Sequence, residues 1–99
     1  MDYRIHHLDM VSAPLQRAFF HSELKKKINI LQDMISSYAS TPVLHIFVKK
    51  LQQDLFIIYA SLQLKSRDIL IKKEGNQPTQ IVQQVMDELM EEVNIQINQ

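Results

Sequence analysis

The stretch Val43-Leu44-His45-Ile46-Phe47-Val48-Lys49-Lys50-Leu51-Gln52-Gln53-Asp54-Leu55-Phe56-Ile57-Ile58-Tyr59-Ala60-Ser61-Leu62 contains the longest apolar runs of the chain. Leu44, Val48, Leu51, Leu55, Ile58 and Leu62 recur at steps of 4, 3, 4, 3 and 4. That spacing draws one face of an amphipathic helix. No Gly or Pro occurs between Val43 and Glu74. The spacing therefore predicts a helix over 43–74, on the order of 50 Å long, or two helices with a break near Ser61–Ser66, where Ser66 offers a cap. Ile46 and Ile57 lie behind the main seam, in line with Lys50 and Gln53. A helix apolar on more than one face is buried among neighbours or meets a partner, so Ile46, Lys50, Gln53 and Ile57 form a candidate homodimer strip.

Upstream, Ala39-Ser40-Thr41-Pro42 is a clear boundary. Thr41 suits an N-cap and Pro42 a first helical position. Before it, Leu15, Phe19, Leu24, Ile28, Leu31, Ile35 and Tyr38 repeat at helical spacing. A helix is expected from about Ala13, with a bend allowed at His21-Ser22. Residues 1–13 read as a short, poorly defined first helix using Ile5, Leu8, Met10 and Val11. Downstream, Gly75-Asn76-Gln77-Pro78 is the second break, with Gly75 suited to a left-handed helix end and Thr79 to an N-cap. Ile81, Val82, Val85, Met86, Leu89, Met90 and Val93 then give a broad apolar helical face, followed by a tail, 94–99, that frays or packs loosely. The expected fold is all-α: a single domain, 1–99, an antiparallel bundle of four helices with a short first helix and a long third one.

Composition agrees with a small globular domain. The chain has 99 residues, 45% hydrophobic and 22% charged, an ordinary folded mix. Cysteine is absent, which excludes disulfide scaffolds and thiolate chemistry. One glycine and three prolines leave little material for tight turns and argue against an all-β fold. Eleven Lys+Arg balance eleven Asp+Glu. A protein that coats nucleic acid normally carries a basic excess, so nucleic acid is set aside as a partner. The N-terminus lacks the apolar core of a secretory signal, and no run approaches the roughly 20 apolar residues of a membrane span. The expected location is the cytoplasm, free or at the inner face of the membrane.

Catalytic chemistry finds no foothold. His6, His7, His21 and His45 lack metal-ligand spacing, and no nucleophile elbow or glycine-rich phosphate loop is present. No enzyme activity, metal or cofactor is expected. Charge segregation is the more informative feature. Residues 25–73 carry nine basic side chains against three acids, whereas from Glu74 onward there are five acids and no Lys or Arg. The acidic last helix either lies across basic neighbours in the same molecule or faces a cationic partner.

Two stretches resemble the immunity proteins of pediocin-like (class IIa) bacteriocins, the enterocin A immunity group. One runs from Leu24-Lys25-Lys26-Lys27-Ile28 through Ala39-Ser40-Thr41-Pro42-Val43-Leu44. The other is Ile71-Lys72-Lys73-Glu74-Gly75 leading into Asp87-Glu88-Leu89. The resemblance implies a four-helix bundle that protects a Gram-positive producer from its own pore-forming peptide. Its partner would be a membrane receptor of the sugar-permease type, or the receptor–bacteriocin complex, met from the cytoplasmic side. Candidate partner-binding residues are Lys72, Lys73, Asp87, Glu88, Glu91 and Glu92. The alternative is a small helical adaptor or secretion chaperone that binds a partner helix.

Overall fold

Two prolines open the two helices. Pro14 occupies the first turn of α1 (Pro14–Ile35) and Pro78 the first turn of α2 (Pro78–Ile97), where a missing N–H costs nothing. Helix α1 buries Phe20, Leu24, Ile28, Leu31 and Ile35, the stripe that the 3.6-residue period predicts, and runs unbroken through His21 and Ser22. Helix α2 buries Ile81, Val82, Val85, Met86, Leu89 and Val93 and extends through Ile95 into the expected tail. Its N-cap residue is Gln77 rather than Thr79. The computed structural model describes residues 2–36, 42–64 and 67–98. The expected caps at Thr41 and Ser66 lie outside the described residues.

Between and before these helices the described residues are mostly strand, which corrects the all-α four-helix bundle. The long third helix is instead an antiparallel meander of β2 (Val43–Gln52), β3 (Leu55–Gln63) and β4 (Asp68–Gly75). The expected first helix is β1 (Asp2–His6), followed by a single 3₁₀ turn at Leu8–Met10. The sheet order is β1-β2-β3-β4, with β1 parallel to β2 and the other pairs antiparallel. Parallel neighbours need a long crossover connection, usually a helix, and α1 makes it between β1 and β2. The architecture is α/β: two helices on a four-stranded mixed sheet.

The physical reason is that this apolar stretch satisfies two periods at once. Steps of 4 and 3 select Leu44, Val48, Leu51 and Leu55. Steps of 2 select Leu44, Ile46 and Val48, then Phe56, Ile58, Ala60 and Leu62. All seven of the second set are buried, while Leu51 is 42% exposed. Val, Ile, Phe and Tyr crowd the segment, and these side chains fit a pleated surface. The turn at Gln53-Asp54 uses no glycine. Among the described residues only His7 has a positive φ, 64°, so this hairpin does not use a mirror-image turn. A register shift between Lys50 and Gln52 takes up the mismatch as a bulge would. Nor does Gly75 adopt a left-handed conformation. It ends β4, where an added Cβ would sit 3.2 Å from Ile81 Cγ1.

Both helices cover one face of the sheet. Leu44, Ile46, Val48, Ile58, Ala60, Leu62, Ile69 and Ile71 meet the helical stripes in one continuous core with Val11 and Phe20. A hydrogen bond from Gln83 across the helix pair, and then one from Lys26 a turn along α1, hold the Glu23 carboxyl below its ordinary value. The homodimer strip is corrected by the same alternation. Ile46 is fully buried under the helices, Ile57 lies on the opposite face of the sheet, and Gln53 sits in the hairpin turn. These residues share no surface. A consequence follows for Leu51, which the helical seam would bury. Leu51→Asp should change stability by no more than about 0.5 kcal/mol, as surface substitutions do. A thermal melt tests this, and a loss above about 2 kcal/mol would place Leu51 in the core.

Candidate functional site

The sheet face away from the helices carries the chemistry. Period-2 alternation sends Arg4 and His6 from β1, His45, Phe47 and Lys49 from β2, Tyr59 and Ser61 from β3, and Leu70 and Lys72 from β4 to this side. Register aligns them in rows. His6 lies opposite Phe47, Phe47 opposite Tyr59, and Tyr59 opposite Lys72. The neighbouring row is Arg4, His45, Ser61 and Leu70.

The rings touch. His6 and Phe47 stack with centroids 4.4 Å apart and planes inclined by 11°. His6 and His45 lie 5.2 Å apart at 23°, with His6 Nε2 and His45 Nδ1 3.0 Å apart in a hydrogen bond. One of those nitrogens donates and the other accepts, the roles being set by the tautomers of the two rings. His45 and Phe47 are 6.1 Å apart. The three rings are thus held nearly parallel by strand pairing from below and by one another from the sides. Phe47 remains 36% exposed, which leaves ring surface open to solvent.

At one end of this platform a shallow cleft is lined by His7, Met10, Phe47, Lys49, Lys50 and Tyr59. The left-handed backbone at His7 turns the chain from β1 into the 3₁₀ turn and brings Met10 to the rim. Lys50, of the same parity as Ile46 and Val48, sends its Nζ to the helical side of the strand, 5.9 Å from the Phe56 ring centroid. Arg4, Lys49 and Lys50 have no carboxylate within ion-pair distance among the described residues. The arrangement is an aromatic shelf bordered by charges of both signs: the register brings Arg4, Lys49 and Lys72 to this face, and Asp2, Asp68 and Glu74 with them. It can stack planar ligands and hold anions beside them. It offers no nucleophile beside a base. No group of three metal-ligating side chains occurs among the described residues.

The six residues singled out from the sequence divide between two sides of the molecule. Lys73, Asp87, Glu88, Glu91 and Glu92 gather on the helical side, around a groove beside α2. Lys72 points to the other face. Two of the acids are tied to cations of the same chain: Lys27 Nζ donates to Asp87 at 2.7 Å and Lys73 Nζ lies 2.8 Å from Glu88 Oε2. The acidic helix lies across basic neighbours, as one of the two sequence readings held. The sequence missed the shelf itself. Its only signal was the cluster of aromatic and imidazole residues at positions 45, 47 and 59, which becomes a pattern once a period of 2 is applied.

No family model and no curated protein matches this chain. Solved structures share its fold. A ribosomal subunit interface protein from Coxiella burnetii superposes with a TM-score of 0.61 at 12% identity, covering 100% of each chain. The N-terminal domain of Protein Y from Thermus thermophilus superposes with a TM-score of 0.58 at 12% identity, covering 74% of this chain and 77% of that one. At such identity the likeness shows the fold.

These findings correct the functional expectations. Bacteriocin immunity implied a four-helix bundle, and the sugar-permease receptor or receptor–bacteriocin complex came with it; the fold is a different one, and the two solved structures named above are a ribosomal subunit interface protein and a Protein Y domain. The adaptor or chaperone reading needed a helical hairpin, and that segment is a β-hairpin. The exclusion of nucleic acid rested on a balanced net charge. The structure pairs Asp87 and Glu88 of α2 with Lys27 and Lys73 and leaves Arg4, Lys49 and Lys72 beside the shelf without such pairs among the described residues, so the net balance of the whole chain does not by itself exclude nucleic acid. Among the described residues no helix is long and apolar enough to cross a membrane.

Proposed function

We propose that the protein binds a ribosomal subunit, using the open face of its sheet to contact ribosomal RNA. The observation that carries this reading is the parallel stack of His6, His45 and Phe47, extended by Tyr59 and bordered by Arg4, Lys49 and Lys72. Unpaired bases stack on such rings, and lysine and arginine take the adjoining phosphates. The sharing of a fold with a ribosomal subunit interface protein supports the same partner. In this reading the protein works in the cytoplasm as a binding factor and catalyses no reaction.

Co-sedimentation through sucrose gradients tests the proposal. The purified protein, mixed with separated ribosomal subunits at low salt, should travel with one of them. Affinity should fall on the order of tens-fold between about 50 and 200 mM salt, as expected for roughly three to four phosphate contacts. Absence from both subunit peaks at low salt would overturn the proposal.

A further inference from the structure

Strand β4 ends the sheet order, so every second residue along it directs its N–H and C=O away from β3. Such an edge is a template for another strand. Its sequence, Asp68-Ile69-Leu70-Ile71-Lys72-Lys73-Glu74-Gly75, selects one partner. Leu70 is 66% exposed on the open face, while Ile69 and Ile71 point toward the helices.

We propose that two copies of this chain pair through their β4 edges, antiparallel about a twofold axis, with Leu70 opposite Leu70 of the second copy. A twofold axis perpendicular to the sheet keeps each face continuous, so only residues of like parity can stand opposite. That leaves few registers. Centring on Lys72 sets two ammonium groups against each other. Centring on Ile71 sets Asp68 against Glu74. Centring on Ile69 sets Asp68 against Leu70. Centring on Leu70 sets Asp68 of each copy against Lys72 of the other, twice, and Ile69 against Ile71 on the helical side. Opposite charges and matched apolar residues across strands are each favourable, and like charges are not. Asp68 and Lys72 stand four residues apart on one face, about 13 Å, so within one copy they do not reach each other. Lys72 has no carboxylate partner among the described residues.

The helical side accommodates the second strand. A groove between β4 and α2 is lined by Arg67, Ile69, Ile71, Glu88, Glu92 and Gln96. In this register Arg67 of the second copy comes opposite Lys73, a like-charge contact at each end of the pairing that is offset by Glu88, which pairs with Lys73 within its own chain. The result is one eight-stranded sheet whose two aromatic shelves lie on the same side. The interface is a single strand edge, so the dimer forms in the weak range.

Sedimentation equilibrium of the protein alone, from about 10 µM to 1 mM, reads the dimer without involving any ribosome. The parent should pass from the 11.6 kDa monomer to twice that mass. Asp68→Lys or Lys72→Asp alone should remain monomeric throughout, since each sets like charges opposite each other twice. Mixing the two single variants should restore a dimer, because each then meets its complement, and the double variant should restore it as well. Both positions are exposed, so the variants should fold, and circular dichroism is the control. A parent that stays monomeric, single variants that dimerise like the parent, or a mixture that fails to associate would each overturn this register.

Discussion

Ile46→Asp leaves no folded protein at room temperature. Ile46 sits in the middle of β2, fully buried beneath the helices. The substitution removes an aliphatic side chain, which costs about 2–5 kcal/mol when a buried isoleucine is cut back. It also places a carboxyl where none of the described side chains offers it a partner, a further cost of several kcal/mol. The sum reaches the whole stability of a domain this size, about 5–15 kcal/mol. Loss of the cooperative thermal melt, followed by far-ultraviolet circular dichroism, is the expected reading. The comparison with Leu51→Asp gives the experiment its force. A helical seam through Leu44, Val48, Leu51 and Leu55 makes Leu51 indispensable and leaves Ile46 behind it. The alternating strand reverses the two. A melt for Ile46→Asp within a few degrees of the parent would show that β2 is not paired in the register described.

Removing Phe47 and Tyr59 together, as alanines, should leave the protein folded and weaken its binding to the ribosomal subunit by at least about thirty-fold. Each aromatic–base stack is worth about 1–3 kcal/mol, and thirty-fold corresponds to the lower end of two such losses. The two residues are cross-strand neighbours on the uncovered face, so their loss opens no cavity in the core. His6 also loses its stacking partner, which adds to the effect on binding. Lys25→Glu, on the exposed side of α1, serves as the control and should bind as the parent does. Unchanged affinity for the double variant, with binding abolished by Lys25→Glu, would move the interface to the helical side and overturn the assignment of the shelf.

Local sequence alone was sufficient for the two helices. Pro14 and Pro78 mark where each begins, and the buried residues of α1 and α2 follow a 3.6-residue period that no alternating pattern can reproduce. The charge contrast between the middle of the chain and α2 was also legible, and its outcome, ion pairs from Lys27 and Lys73 to Asp87 and Glu88, was one of the two readings it allowed. Residues 43–62 were different. Their apolar content is so high that steps of 3 and 4 and steps of 2 both find a complete face. The hairpin turn carries no glycine to break the tie.

Only tertiary pairing could settle that stretch. A strand gains its hydrogen bonds from neighbours distant in sequence, whereas a helix gains them within itself, so the choice is made by what lies alongside. The aromatic shelf was hidden for the same reason. His6 and His45 are 39 residues apart, and nothing local to either links them. They meet because α1 carries the chain back to lay β2 parallel to β1. Composition and period defined which parts could be helix, and the docking of the strands beneath those helices decided which face was buried and which was left open to a partner.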